Sequence, residues 1–144
     1  MKDAEYMLPT DILSKAVLSG KEYGWRRQDI VDAIKAAASV GLAVLGGQVQ
    51  FVLSDGTCEL YWMNYDSTDR NPDEPWESFV NRSSEETLAG LQHIMSHDLV
   101  QEGVSNFGFL KEKQSQGVKL EDSLLFIVYF QTEKEAEPVN QGDG

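Results

Sequence analysis

The sequence predicts a single α+β domain, with a small and mainly antiparallel sheet covered by helices on one face. Residues 25–40 and 84–97 repeat apolar side chains at helical spacing. Between them, an Asp-Gly pair separates two runs rich in β-forming residues, 42–53 and 57–66, which is typical of a hairpin. The apolar run 123–132 predicts a further strand of the same sheet.

The first part of the chain is predicted to be helical. A short pattern starts after Pro9 and closes at Gly20, and its apolar positions are Ile12, Leu13, Ala16 and Val17. A longer helix follows over residues 25–40, and its apolar set is Trp25, Ile30, Ala33, Ile34, Ala37 and Val40. Gly41 stands where a glycine commonly ends a helix.

The predicted hairpin joins residues 42–53 to residues 57–66. We expect Asp55 and Gly56 to form its turn, because both tolerate the positive φ that a tight hairpin turn needs. Strict alternation puts Leu60 and Trp62 on one face of the second strand, which favours a core position for the tryptophan. The other face then carries Tyr61, Met63 and Tyr65. The Gly-Gly pair before the first strand's polar alternation indicates a bend, a bulge or a strand start.

An acidic loop is predicted over residues 66–75, where two prolines interrupt any regular pattern. Residues 76–80 are expected to form a short helical turn. Ser83 and Glu86 then have the spacing of a capping box, which predicts that the helix at 84–97 starts here.

The C-terminal third is predicted to be irregular until its last strand. Residues 106–117 indicate a loop or a broken helix. The strand at 123–132 is nearly all apolar, so we expect it to be central and buried on both faces. The domain is predicted to span residues 1–132, and residues 133–144 to form a flexible acidic tail.

Negative charge is concentrated in the middle of the chain. The formal net charge is −12, and residues 36–110 hold eleven Asp/Glu against two basic residues, Arg70 and Arg82. Nucleic acids and anionic membranes are therefore not expected as partners, since phosphate contacts need clusters of Lys and Arg. A positively charged protein is the natural partner of such a surface.

The same composition predicts a cytoplasmic protein. The only cysteine, Cys58, has no second cysteine to pair with, which suits a reducing compartment. The first residues show no apolar core of a signal peptide, and no run approaches the eighteen apolar residues of a membrane helix.

Catalysis and metal binding find little support in the residue pattern. His93 and His97 lie four residues apart on a predicted helix and Asp98 follows, but no third metal ligand is evident. Residues 66–77 have the length of a calcium loop, yet arginine occupies a ligand position. We therefore predict no catalytic residue, no metal and no cofactor. A small hydrolase or metal-dependent enzyme that uses Cys58 with the two histidines stays open as an alternative.

A protein-binding surface is the better prediction. Aromatic side chains in and after the second hairpin strand lie close in sequence to several carboxylates. Aromatic anchors bury area at low entropic cost, and carboxylates steer a cationic partner. The predicted partner-binding residues are Tyr61, Tyr65, Asp66, Asp69, Asp73, Glu74, Trp76 and Glu77.

Residues 20–56 resemble the small α+β immunity proteins of bacterial polymorphic toxin systems, in particular the family called immunity protein 40. The resemblance lies in Trp25, Asp29, Ala33 and Ile34 on a helix, followed by a glycine, a strand with polar alternation and an aromatic second strand. It implies a cytoplasmic antitoxin that binds one cognate toxin domain, blocks its active site and has no catalytic residues of its own.

The charge of the chain agrees with this implication, because an acidic and aromatic surface suits a basic toxin such as a nuclease. We expect a monomer or a weak homodimer. A housekeeping adaptor or structural subunit is the remaining alternative, and it would bury the face of Tyr61 and Tyr65 in a stable homo-oligomer.

Overall fold

In the computed structural model, which describes residues 3–137, five antiparallel strands form one open sheet in the order β1-β2-β5-β3-β4. The strands are β1 (Val17–Ser19), β2 (Glu22–Trp25), β3 (Ala43–Leu53), β4 (Gly56–Asn64) and β5 (Leu124–Gln131). The predicted α+β class is confirmed. The last strand of the chain lies at the centre of the sheet, as its apolar sequence predicted.

The helices of the described residues lie before, between and after these strands. They are α1 (Thr10–Leu13), α2 (Arg27–Ser39), α3 (Trp76–Met95), α4 (Leu99–Asn106), α5 (Gly108–Ser115) and α6 (Glu133–Ala136), with 3₁₀ turns at Ala4–Met7 and Leu120–Ser123. The core contains alternate side chains of β3 and β5 and the inner faces of α2 and α3, including Val49, Phe51, Phe126, Ile34 and Leu91. The protein thus has two layers, with α2 and α3 on one face of the sheet.

The first hairpin, β1–β2, replaces most of the short helix predicted to end at Gly20. Only Thr10–Leu13 is helical, and Gly20 adopts a φ of +63° in the turn between the two strands. Trp25, expected at the start of a helix, ends β2 instead and pairs with Phe126 of β5. A buried tryptophan ring is compatible both with the start of a helix and with the end of a strand. The apolar pattern therefore did not distinguish these two positions.

The helix predicted at 25–40 is confirmed as α2. It ends in the way that its glycine predicted: Gly41 has a φ of +83°. The amide of Gly41 donates to the carbonyl of Ala38, and the amide of Leu42 donates to the carbonyl of Ala37. This pair of hydrogen bonds is a Schellman motif, and it turns the chain sharply from α2 into β3.

The capping box predicted at Ser83 and Glu86 is wrong, because α3 is one continuous helix that begins at Trp76. The Ser83 hydroxyl is buried within this helix; it donates to the Val80 carbonyl and accepts from the amide of Val44. The predicted short turn is thus the first part of α3. Farther along, the predicted loop or broken helix at 106–117 is a break at Phe107 between α4 and α5.

The predicted main hairpin is confirmed, but its turn differs. Leu53 pairs with Gly56, so Ser54 and Asp55 occupy the turn. The glycines with positive φ are Gly20, Gly41, Gly46 and Gly117, and therefore the positive φ expected at the Asp-Gly pair is absent. The glycine pair before the polar alternation follows a bulge at Leu45, where the pairing of β3 with β5 shifts between Val44 and Gly46.

A larger bulge interrupts β4. Glu59 pairs with Gln50 and Asn64 with Gln48, so the four residues 60–63 lie opposite the single residue Val49. Strict alternation of inward and outward side chains cannot survive such an insertion. Leu60 and Met63 are both buried as a result, although they were predicted to lie on opposite faces.

The segment predicted to be a flexible tail begins with the short helix α6. Thr132 and Glu135 form a capping box at its start, with side chain and backbone bonded reciprocally. Residues 138–144 of the predicted tail lie outside the described part of the chain.

Candidate protein-binding surfaces

The acidic loop between β4 and α3, residues 66–75, is held by Arg82 of α3. The guanidinium donates two hydrogen bonds of 2.8 Å to the carboxylate of Glu74 and one of 3.0 Å to Glu86. It also donates to the hydroxyl of Thr68, whose amide donates to Glu86 at 2.8 Å. One arginine therefore joins both parts of the loop to the helix.

Glu74 was predicted to contact a partner, but its carboxylate is engaged within the protein. Hydrogen bonds from Arg82 hold the pKa of the Glu74 carboxyl at about 2, well below the ordinary value of 4.5. The pKa of Arg82 is raised in turn, chiefly by Glu74. The pair stays ionised at all but extreme pH, and its charges compensate each other.

Trp76 also has an internal role. Its half-buried indole N–H donates to the carbonyl of Gly41 at 2.9 Å, and its ring packs edge-on against Phe79. The guanidinium of Arg70 lies 5.3 Å from the ring centroid, and its Nε donates to the backbone oxygen of Glu74. Trp76 thus anchors the start of α3 to the end of α2.

Tyr65 was predicted to share an exposed face with Tyr61, and this prediction is wrong. Only 1% of Tyr65 is exposed. Its hydroxyl lies between two strands, where the carbonyls of Gln48 (2.9 Å) and Ile127 (2.5 Å) share its one proton. Its ring occupies the space above Gly47, where a Cβ would lie 2.5 Å from the ring. Burial raises the pKa of this phenol well above its ordinary value.

The bulge in β4 presents Tyr61 to solvent. This side chain is 68% exposed and packs edge-on against Trp62, at 4.8 Å between ring centroids. Trp62, favoured as a core residue, is half-buried and stacks on Phe107 at 6.0 Å. Of the predicted partner-binding residues, those exposed to solvent are Tyr61, Asp66, Asp69, Asp73 and Glu77.

A cleft of about 420 Å³ lies beside the loop. Asp69 and Arg70 line it from the loop, and Leu45, which is exposed at the β3 bulge, lines it from the sheet. Asp69 supplies a carboxylate to this cleft, and a carboxylate binds basic side chains.

A second polar surface was not predicted. On the sheet face opposite α2 and α3, the carboxylate of Glu22 accepts hydrogen bonds from Gln48 (3.4 Å), from Gln50 (3.3 Å) and from the hydroxyl of Tyr129. The alternation of Gln48 with Gln50 was visible in the sequence. Nothing indicated Glu22, since it falls in the hairpin that the sequence did not reveal.

Exposure, hydrogen bonding and pKa describe the residues of the enzymatic alternative, which are Cys58, His93, His97 and Asp98. His93 and His97 are exposed, with ring centroids 5.1 Å apart, and Asp98 accepts from the amide of Gln101 as the cap of α4. Within residues 3–137, no group of three His, Cys, Asp or Glu side chains could hold a metal ion. Burial raises the pKa of the Cys58 thiol, which is the opposite of what activates a nucleophile.

The fold and these surfaces define a small α+β protein whose exposed carboxylates and aromatics are suited to binding another protein. Across the described residues, no helix has the length and apolar content needed to cross a bilayer.

The model of the family described as Immunity protein 40 matches residues 13–105, which is more than half of the chain. The chain belongs to this family, as the resemblance over residues 20–56 predicted. Membership implies an immunity protein of a polymorphic toxin system, which binds a cognate toxin protein, and proteins of this family are generally non-catalytic. No curated protein and no solved structure matches the chain.

Proposed function

We propose that this protein neutralises its cognate toxin domain by binding over the toxin's active site and occluding it. The toxin domain is basic, and the complex forms in the cytoplasm. The immunity protein acts as a monomer or weak homodimer, without a catalytic residue, metal or cofactor. It contacts neither nucleic acid nor membrane.

The observation that carries this proposal is the ordered presentation of exposed carboxylates. Asp66, Asp69 and Asp73 are exposed on a loop that Arg82 fixes by several hydrogen bonds. A loop that is already ordered loses little conformational entropy on binding. Negative charge of this kind accelerates association with a positive surface and sets its orientation.

Occlusion follows from the same charge. A toxin that acts on an anionic substrate has a positive active site, and an ordered acidic surface competes for that site. Tyr61, exposed at the β4 bulge, is an aromatic anchor that buries area against the toxin.

The test is co-expression with the cognate toxin domain, together with association kinetics of the two purified proteins. The parent should restore growth. The variant Asp66→Lys/Asp69→Lys/Asp73→Lys should associate about tenfold to a hundredfold more slowly at low salt, with a weaker salt dependence. Glu74 is left unchanged, because it binds Arg82 and its reversal would disturb the loop.

The matched control reverses three exposed acids elsewhere: Asp32 on α2, Glu112 on α5 and Asp122 before β5. It changes the net charge by the same amount and should slow association much less. If the parent neither binds the toxin nor restores growth, the proposed function is wrong. If both triple variants slow association equally, the loop is not the interface.

A further inference from the structure

The sheet face opposite α2 and α3 carries a hydrogen-bonded network centred on Glu22. Three strands contribute: Glu22 from β2, Gln48 and Gln50 from β3, and Tyr129 from β5. Gln48 also donates to the Tyr129 hydroxyl (2.7 Å), and Ser19 of β1 donates to the Gln50 side-chain oxygen (2.8 Å). The network therefore spans four adjacent strands of the sheet.

An apolar floor lies beneath this polar layer. Leu125 and Ile127 of β5 are fully buried on this face, and they occupy the space that the missing side chain of Gly24 leaves. A Cβ on Gly24 would lie 2.6 Å from the Leu125 side chain. Gln50 is itself only 5% exposed. The polar side chains of the network thus pack on buried apolar residues, and their positions are ordered before a partner binds.

No cationic side chain of residues 3–137 forms an ion pair with this network. All three donors to Glu22 are neutral, and no ion pair of residues 3–137 includes this glutamate. A carboxylate offers about four acceptor positions, so one remains open after three hydrogen bonds. The Glu22 side chain is partly exposed, and the open position can be reached from solvent.

The surroundings of the network add to its negative field. Glu59 of β4 is exposed and pairs with Gln50, which puts a second carboxylate on the same face. Burial, the bond to Glu22 and the nearby charge of Glu59 together raise the pKa of Tyr129 to about 12. The paired positions on this face, read from the strand register, include no Lys or Arg.

We propose that this sheet face is a docking surface for the toxin domain, on which Glu22 receives a lysine or arginine side chain. The proposal rests on the proposed function, since it names where that same partner binds. Tyr129, 36% exposed, flanks the carboxylate and supplies apolar contact area beside the charge.

A cationic partner is favoured over a second copy of this chain. Two copies, each with a net charge of −12, would bring the carboxylates of this face against each other. An arginine or lysine instead forms a charge-assisted hydrogen bond to a carboxylate whose geometry is already fixed, and such bonds are among the strongest at interfaces.

The test is the affinity of Glu22→Gln for the cognate toxin domain. Glutamine keeps the shape of the side chain and its acceptor oxygen but removes the charge. We expect the affinity to fall about tenfold to a hundredfold, chiefly through faster dissociation. Glu22→Asp, which keeps the charge, should recover part of the loss. Glu112→Gln, an exposed site on α5, is the matched control and should bind as the parent does.

A second measurement needs no variant. Adding unlabelled toxin domain to the ¹⁵N-labelled parent should shift the side-chain amide signals of Gln48 and Gln50, which donate to Glu22 and to its network. If these signals stay in place while the toxin binds, the docking proposal is overturned. If they shift on concentrating the protein alone, the face binds a second copy, and the proposal is overturned as well.

The two proposals fail separately. A parent that does not bind the toxin domain disproves the proposed function. A parent that binds, together with a folded Glu22→Gln variant of equal affinity, disproves only the docking of a cation at Glu22.

Discussion

The acidic loop and the polar sheet face are both negatively charged and both carry aromatic side chains, yet they use charge in opposite ways. In the loop, Arg82 binds Glu74 and Glu86, and Arg70 covers Trp76. On the sheet face, the side chains of the described residues that donate to Glu22 are all neutral. Arg82 neutralises part of the charge at the loop, that of Glu74 and Glu86, whereas Glu22 has no ion pair among the described residues.

This difference shows that the density of acids in a sequence does not measure the charge that a partner meets. Residues 36–110 hold only two basic side chains, and both lie at the loop. Arg82 therefore compensates Glu74 and Glu86, whereas Asp66, Asp69 and Asp73 carry exposed charge. A carboxylate such as Glu22, from a segment whose acidic and basic residues balance, also contributes to the charge that a partner meets.

The largest effect is expected where the two regions meet, at Gly47. In Gly47→Ala, the new Cβ would lie 1.9 Å from the Ile127 carbonyl and 2.5 Å from the Tyr65 ring. It would separate β3 from β5 and displace the residue from which the loop starts. We expect a loss of about 3 kcal/mol or more in the free energy of unfolding, measured by urea denaturation.

Gly108→Ala is the control for this substitution, because nothing lies within 4 Å of its Cβ position at the start of α5. Alanine there should leave stability unchanged or raise it slightly. Equal stability of Gly47→Ala and Gly108→Ala would show that Tyr65 does not tie the loop to the sheet.

Acid should weaken the loop. The pKa of Glu74 is about 2 in the folded protein against an ordinary 4.5, so its contribution to stability is fully present above about pH 4.5 and is lost as the pH falls toward 2. Urea midpoints measured across this range should fall less steeply for Glu74→Gln than for the parent. Some slope should persist, because the pKa of Glu86 is lowered too. Identical slopes would show that the ion pair of Arg82 with Glu74 contributes nothing to stability.

Alkali should weaken the sheet face, with a smaller effect. The folded pKa of Tyr129 is raised to about 12 from the ordinary 10, so its contribution is fully present below pH 10 and is lost as the pH rises toward 12. Tyr129→Phe should lose less stability than the parent over that interval. Phenolate absorbance of the two proteins, compared in a titration, gives the pKa of Tyr129 directly, and a value near 10 would contradict the network.

The elements that the sequence predicted are those with long local signals. The apolar spacing of α2 and the uniform apolar run of β5 each extend over eight or more residues, and such patterns survive without tertiary information. The strands β1 and β2 have three and four residues, too few for any period to appear. Their pairing with β5 depends on contacts across the whole chain.

The candidate site was predicted only in part, for the same reason. Exposed acids of the loop follow from local composition, but the burial of Tyr65 results from a four-residue bulge in β4 that no local pattern reveals. The bond between Tyr129 and Glu22 joins residues 107 positions apart. Tertiary contacts determine which carboxylates have a cationic partner. Local sequence patterns do not contain this information.

The bulge in β4 has a further consequence, which concerns the aggregation of the unbound protein. β4 is an edge strand, and a straight edge strand exposes backbone amides and carbonyls on which another sheet can grow. Residues 60–63 bend this edge out of line, so a second chain cannot extend the sheet along it without losing several hydrogen bonds. The bulge that exposes Tyr61 thereby also reduces edge-to-edge aggregation of the unbound protein.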